Sequence, residues 1–402
     1  MAKSNYLTTI AIDTVRSTFN FYSMIENNRS TIAHHIKSYS GGRFDEDFFN
    51  KFREAVKEFS ENTPSESMRK VTVVLPDSAV LTDAVKIPTM KGAGQMKKTF
   101  EITLGGLYRN FRDLRISSYA TEQNKQYSTF MITGVQNQIV SEIYAACAEN
   151  KLLVDTLTYA SGAAVCGAML LNPKLKNASY LLLDIKDVYS RFTFVINGRA
   201  VGYYTIPFGL EFLKAPKVIG EDMLFDHSHA ELAVLNAKEK AKSKKLTVMA
   251  DVSDDPDTDL EEDENTEVEQ VNKDREYAPL LAESSHKTFM KKTPRKLPKF
   301  MLREAPETEE GIAYENFRIF VKWALSLIES NKKITELGRP EFVCVNMPAD
   351  FSHLIEKTNR ESAENKINFT LLPRGEAEAE IAANLELYGG LFPKHINPAV
   401  KL

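Results

Sequence analysis

Cysteine is scarce in this chain of 402 residues, with Cys147, Cys166 and Cys344 its complete set. None of them has C-x-x-C spacing and each stands in an apolar segment. Neither a metal ribbon nor a disulfide framework is therefore encoded, and three buried, reduced thiols are expected. Tryptophan occurs once, as Trp323, on a helical apolar stripe where a core role is expected. The net charge is small, −4, which removes the electrostatic reason for a nucleic-acid partner. Long apolar runs are missing as well: Ala163 to Leu171 is far too short to cross a bilayer. The opening MAKSNYLTTI has no apolar stretch and no cleavage-like site, so a cytoplasmic protein is expected. G-x-S-x-G and Ser-His-Asp arrangements are absent, and His34-His35 has no cysteine or carboxylate motif beside it.

Glycine is missing from two further places where it would matter. IAIDTVRSTFNFYSM (Ile10 to Met24) and LLLDIKDVYSRFTFVINGR (Leu181 to Arg199) share one pattern. Each is an apolar strand ending in aspartate, a polar turn with serine, and an alternating second strand, which reads as a hairpin with a carboxylate at its mouth. A phosphate-binding hairpin of this kind uses glycine to aim backbone N–H groups at the ligand. Here the turns carry Thr14-Val15-Arg16 and Ile185-Lys186-Asp187.

Around these hairpins the chain alternates strands and helices. Phe48, Phe49, Phe52, Val56 and Phe59 fall at helical spacing behind a capping Asp45. VTVVLPDSAV is a buried strand ended by Pro76 and Asp77. Thr82 to Thr156 reads as a smaller α/β unit: helix near Gly94 to Leu107, strands near Asp113 to Tyr119 and Tyr127 to Thr133, helix Gln136 to Asn150. KGAGQ, Lys91 to Gln95, is expected to be a simple turn into the first of those helices. The helix SGAAVCGAML is rich in small residues, which predicts very close packing on a neighbour. Leu181 then restarts the opening pattern, a weak internal duplication. A helix with a lysine-rich end covers His229 to Lys245. Next comes a run with 11 acidic residues in 19, Asp251 to Glu269, and then basic KKTPRKLPK. The acidic run is expected to be a solvated, disordered loop. A helix from Ile312, the strand FVCVNM, the helix ADFSHLIEKTNR and a last helix stopped by Gly389-Gly390 complete the chain.

In this order the segments resemble the actin-like ATPase superfamily. Within it they resemble the PilM family of type IV pilus and related secretion machines, with the division protein FtsA the next most similar. The carrying stretches are VTVVLPDSAVLTDAVKIPTM, AENKLLVDTLTYASGAA, LLLDIKDVYSRFTFVINGRAVGYYTIPFG, HAELAVLNAKEK and LYGGLFPKHINP. The resemblance implies an α/β, actin-like two-lobed fold of duplicated domains with a small inserted α/β subdomain. It divides the chain into 1–81, the N-terminal part of the first lobe; 82–156, the inserted subdomain; 157–180, a helix closing the first lobe; and 181–402, the second lobe. A disordered acidic insertion is expected near 247–310.

The departures from that family shape the functional expectation. Where it runs Asp-Ile-Gly, this chain keeps Asp13 and Asp184 but has Val15 and Lys186 in place of glycine; Ser17 and Thr18 remain, and the following lysine is Asn20. Its adenosine turn, a strand and then Gly-Gly-Gly-Ala, is matched here by Asn346, Met347, Pro348 and Ala349. A β-branched or long side chain in a phosphate turn fills the ligand's place and disfavours positive φ, and Pro348 removes a donor. Asp13, Ser17, Thr18, Asp184, Lys186, Asn346 and Pro348 are therefore expected to be remains of a nucleotide site. ATP and magnesium are disfavoured, no cofactor is expected, and the chain is expected to be a pseudo-ATPase rather than an enzyme. Its two aspartates become turn-capping groups, and Lys186 is expected to replace a cation by pairing with Asp13 or Asp184.

The resemblance further implies a scaffold at the inner face of the membrane that binds the tail of a PilN-like single-pass membrane protein and other platform components. No nucleic acid and no direct membrane insertion are expected. The implied groove lies between Val71–Met90 and Phe100–Tyr119, with Leu75, Ile87, Met90 and Leu107 as apolar candidates. An active ATPase and an FtsA-like division protein are the alternatives. The second is disfavoured because LFPKHINPAVKL forms no basic amphipathic helix.

Overall fold

The computed structural model describes residues 6–25, 31–40, 44–63, 69–108, 110–206, 208–215, 308–330, 337–361, 367–373 and 383–392. The expected helix at 229–245, the acidic run and the basic segment at 291–299 lie outside the described residues. Of the insertion expected near 247–310, only the final residues are described, and they open a helix.

The first lobe begins with β1 (Tyr6–Asp13), β2 (Thr18–Ile25), β3 (Thr31–Ser38) and α1 (Glu46–Asn62). Asp45 caps α1 by accepting from Phe48 N at 2.9 Å, as its position predicts. Strands β4 (Arg69–Leu75) and β8 (Leu152–Tyr159) complete a sheet of order β3-β2-β1-β4-β8. The second lobe repeats the plan with β9 (Tyr180–Ile185), β10 (Ser190–Ile196), β11 (Arg199–Ile206), β12 (Phe342–Asn346) and β13 (Asn368–Leu371), in order β11-β10-β9-β12-β13. In both sheets an antiparallel meander is followed by two parallel strands. The duplication suggested by the sequence pattern is thus a duplication of topology.

Alternation along the strands explains the layers. Ile10, Ile12, Phe19 and Phe21 face a core made with α1 and α3 (Asn137–Glu149). Ala11, Tyr22, Met24 and Val74 face the other way, onto α4 (Ala160–Leu171) and the late helix α8 (Leu385–Gly390). In the second sheet Leu181, Leu183, Phe192 and Phe194 meet α5 (Leu210–Leu213), α6 (Glu309–Ser330) and α7 (Ser352–Glu361). Tyr180, Leu182 and Val195 meet α4 and Leu385. The α4–α8 pair is therefore sandwiched between the sheets. Trp323 packs beside the second core with its ring stacked on Tyr204 at 5.3 Å. The three cysteines are buried and unpaired, and burial pushes each thiol up to about 12.

Two sequence expectations need correction here. The inserted unit is narrower than 82–156: β5 (Leu81–Pro88), β6 (Leu114–Gln123) and β7 (Tyr127–Gln136) form its sheet, with α2 (Ala93–Leu107) on one face. α3 and β8 instead belong to the first lobe, because Ile139, Ile143, Cys147 and Leu157 complete that lobe's core. The second correction concerns how Gly389-Gly390 act: α8 does end at Gly390, as expected, but not through a left-handed glycine. Neither has positive φ. A Cβ on Gly389 would stand 1.9 Å from the Ala163 carbonyl oxygen, and one on Gly167 would stand 2.4 Å from that of Leu385. These glycines let the two helices touch backbone to backbone, the close packing that the small residues of α4 predict.

Candidate functional site

Alternation also places the candidate site. Asp13 follows Ala11 onto the inner face of β1, Asp184 follows Leu182 on β9, and Asn346 follows Cys344 on β12. Asp13 and Asn346 end their strands and Asp184 is one residue short of the end of its own, all at the seam between the lobes.

In the first turn the Asp13 carboxylate is already used. Its Oδ1 accepts from Val15 N and Arg16 N, both at 3.0 Å, and its Oδ2 accepts from the Tyr189 hydroxyl at 3.2 Å. Two N–H groups that could face a phosphate are thereby bonded to the turn's own aspartate. The left-handed residue is Ser17, with φ 52°, not Val15, so the conformational demand falls on a small polar side chain. Ser17 O accepts from Tyr39 N at 2.9 Å, and Thr18 Oγ1 accepts from Asn20 Nδ2 at 3.2 Å.

The second turn is closed in a different way. Lys186 N donates to Tyr189 O at 2.9 Å. The carbonyls of Lys186 and Asp187 accept from Leu210 N and Glu211 N at 2.7 and 2.9 Å. The Lys186 ammonium points inward, 3.2 Å from Asp184 Oδ2 and 2.6 Å from Glu386 Oε2. Of the two aspartates the sequence offered it, Lys186 pairs with Asp184 and not with Asp13. Asp184 Oδ1 accepts from Asn346 Nδ2 at 2.7 Å, which ties the adenosine-turn position back to the aspartate. Pro348 precedes a single 3₁₀ turn at Ala349–Phe351, and Met347 is buried.

Beside this lies a group the sequence reading missed. Arg191 Nε is 3.0 Å from Asp77 Oδ2, and its NH1 is 3.8 Å from Glu386 Oε2. Asp77 also accepts from Ser161 N and Ser161 Oγ at 2.8 and 2.9 Å. Burial alone would push the Glu386 carboxyl up, but Lys186 and Arg191 outweigh it and hold it down at about 2. For Asp77 burial prevails over Arg191, and its carboxyl is raised. Burial works against the Arg191 charge too, yet Asp77 and its other neighbours keep the guanidinium titrating above its usual value. Asp77 was legible only as a strand end. Glu386 sits in a helix whose glycines drew attention instead, and its partner Lys186 is 200 positions away.

The groove candidates divide. Leu75 faces the first-lobe core and Ile87 the core under α2, so neither lines a surface. Met90 is half-buried, whereas Leu107 is exposed, and Ile102 of the same helix is more exposed still. The inserted sheet turns its other face, the cross-strand row Ala84–Met131–Tyr119, onto the second lobe, where Arg199 lies over the Tyr119 ring at 4.4 Å. Gly92 simply precedes α2, its carbonyl accepting from Met96 N at 2.9 Å. His35 stands 3.6 Å from Glu58, and no group of three or more metal-ligating side chains exists among the described residues. No helix among them is long and apolar enough to cross a membrane.

No family model matches the chain, and no curated protein matches it. Solved structures do. A chain of the "PilM-PilN type IV pilus biogenesis complex" is similar with TM-score 0.53 at 12% identity, over 98% of this chain and 99% of that one. The cytoplasmic domain of EpsL, an inner-membrane component of the type II secretion system of Vibrio cholerae, gives TM-score 0.35 at 11% identity, over 50% of this chain and 71% of that one. The ethanolamine utilization protein EutJ from Carboxydothermus hydrogenoformans gives 0.34 at 10% identity, over 96% and 89%. The first likeness shows the fold: this chain has the same α/β fold as that structure over nearly its whole length, the fold that the order of its segments implied.

Proposed function

We propose that this protein is an actin-fold scaffold of a type IV pilus or related secretion platform, and that it works without binding or hydrolysing ATP. The observation that carries the nucleotide-free part is the self-satisfaction of both turns. Val15 and Arg16 N–H groups bond Asp13, and the Lys186 ammonium sits against Asp184 and Glu386. A phosphate entering here would have to break buried charge pairs before gaining any donor. Magnesium would meet carboxylates that already hold cations or N–H groups. Titration calorimetry with magnesium ATP tests this: no saturable heat is expected, and micromolar binding would overturn it.

The partner half of the proposal draws on the similar structure, which is described as a complex of PilM with PilN. We infer a corresponding partner here, the cytoplasmic tail of a single-pass inner-membrane protein, which would hold this chain at the inner face of the membrane. Exposed Leu107 and Ile102 on α2, with half-buried Met90 before it, offer apolar surface for such a tail. Co-purification from membranes with a PilN-type protein, lost in Leu107→Asp, is the expected result. A pull-down that returns no such protein would sink this half alone.

A further inference from the structure

Five charged side chains meet in the seam between the lobes, each 7% exposed or less. They arrive from separate places: Asp77 after β4, Asp184 and Lys186 at the end of β9, Arg191 on β10, and Glu386 on α8. Their contacts run in a line, Asp184–Lys186 at 3.2 Å, Lys186–Glu386 at 2.6 Å, Glu386–Arg191 at 3.8 Å and Arg191–Asp77 at 3.0 Å. The signs alternate along that line, so every cation lies between two carboxylates. Asp77 belongs to the first lobe and Arg191 to the second, and α8 touches both. Leu385 packs with the second lobe, while Leu387 and Leu391 pack with the first.

Further bonds cross the seam on either side of the line. The Tyr189 hydroxyl donates to Asp13 Oδ2 at 3.2 Å, the Tyr203 hydroxyl donates to Asp77 O at 2.9 Å, and at the surface Arg16 NH2 donates to Asp187 Oδ2 at 2.8 Å. The two hairpin turns are thus joined to each other by their own side chains, at the point where a ligand between them would otherwise do the joining.

We propose that this charge line, with the tyrosine bonds beside it, is a clasp that holds the two lobes closed by protein groups alone. Closure is then a fixed property of the chain and not a response to a ligand. Opening the lobes strips Arg191 from Asp77 and leaves that buried first-lobe carboxylate without its cation. The inference deepens the nucleotide-free part of the proposed function and is independent of the partner.

Backbone hydrogen exchange on the full chain tests it, with one variant in each lobe read out in the other. Asp77→Asn keeps shape and an acceptor for Ser161 but deletes the cross-lobe ion pair. It should speed exchange in the second turn, residues 183–192, by ~10-fold or more. Tyr189→Phe removes a single oxygen from the second lobe and should speed exchange at Val15 and Arg16 in the first. Should Asp77→Asn fail to fold, Tyr189→Phe carries the test. Acceleration confined to the substituted residue's own lobe would overturn the clasp. So would a wild type whose two turns become protected only when magnesium ATP is added. Turns already protected without ATP, in a protein that calorimetry shows to bind it, would uphold the clasp and overturn the nucleotide-free reading.

Discussion

Lys186 Nζ lies 2.6 Å from Glu386 Oε2, joining a hairpin turn of the second lobe to a helix 200 residues later. Both side chains are buried, so their charges have no water to fall back on. Three carboxylates share two cations in this cluster, and that ratio orders the variants. Lys186→Met leaves three carboxylates against one guanidinium and should cost about 3–5 kcal/mol. Glu386→Gln leaves Lys186 with Asp184 and Arg191 with Asp77, two balanced pairs, and should cost clearly less. Urea denaturation of both variants checks the order; equal losses would mean that charge balance does not govern the cluster.

The ion pair between Arg16 and Asp187 is nearly as short, 2.8 Å, but its side chains are 32% and 64% exposed. Solvent screens it and both side chains lose rotamer freedom in making it. Arg16→Ala should therefore lower stability by less than about 1 kcal/mol, several-fold below the Lys186→Met loss. A loss as large as that of Lys186→Met would show that this pair, and not the buried line, is the principal tie between the turns.

Glycine substitutions separate the two uses this chain makes of glycine. Gly389→Ala places a Cβ 1.9 Å from the backbone oxygen of Ala163, which cannot move without shifting α4 against both sheets. A loss of more than about 3 kcal/mol, or failure to fold, is expected. Gly94 in α2 has open space around its Cβ position, so Gly94→Ala should stabilise by roughly 0.5–1 kcal/mol. Thermal melts of the two proteins should move in opposite directions.

The fold was legible because its strongest signals are periodic and local. Alternation in IAIDTVRSTFNFYSM and LLLDIKDVYSRFTFVINGR marked both hairpins, and the phenylalanine stripe behind Asp45 marked α1. What escaped was set by contacts distant in sequence. Nothing near Glu386 shows that Lys186 will face it, nor near Arg191 that Asp77 will. The missing glycines were visible, and so was Asp13 as a cap of its own turn, which the bonds from Val15 N and Arg16 N bear out; that Ser17 would take the left-handed position, and that Asp184 would hold Lys186 and Asn346 instead of capping its turn, was not. Leu75 was a groove candidate only through the resemblance; β4 is a central strand covered on both faces, with Val73 and Leu75 toward one core and Val74 toward the other.

Acid should loosen the cluster through Glu386. Its carboxyl is held at about 2 in the folded chain, below the 4.5 of an ordinary glutamate, because Lys186 and Arg191 overcome the effect of burial. The unfolded chain therefore binds more protons at this position than the folded one across that interval, and the folded state loses ground as pH falls through it. Above about pH 4.5 the contribution is complete and flat. Asp77 acts with the opposite sign: its raised carboxyl favours the folded, protonated form in acid and offsets part of the loss. Subtracting the stability of Glu386→Gln from that of the wild type cancels Asp77 to first order, along with the carboxylates remote from the cluster. That difference should be constant from neutral pH to about 4.5 and shrink toward zero as pH approaches about 2. A difference that stays constant through that window would show that Glu386 is not held down by its two cations.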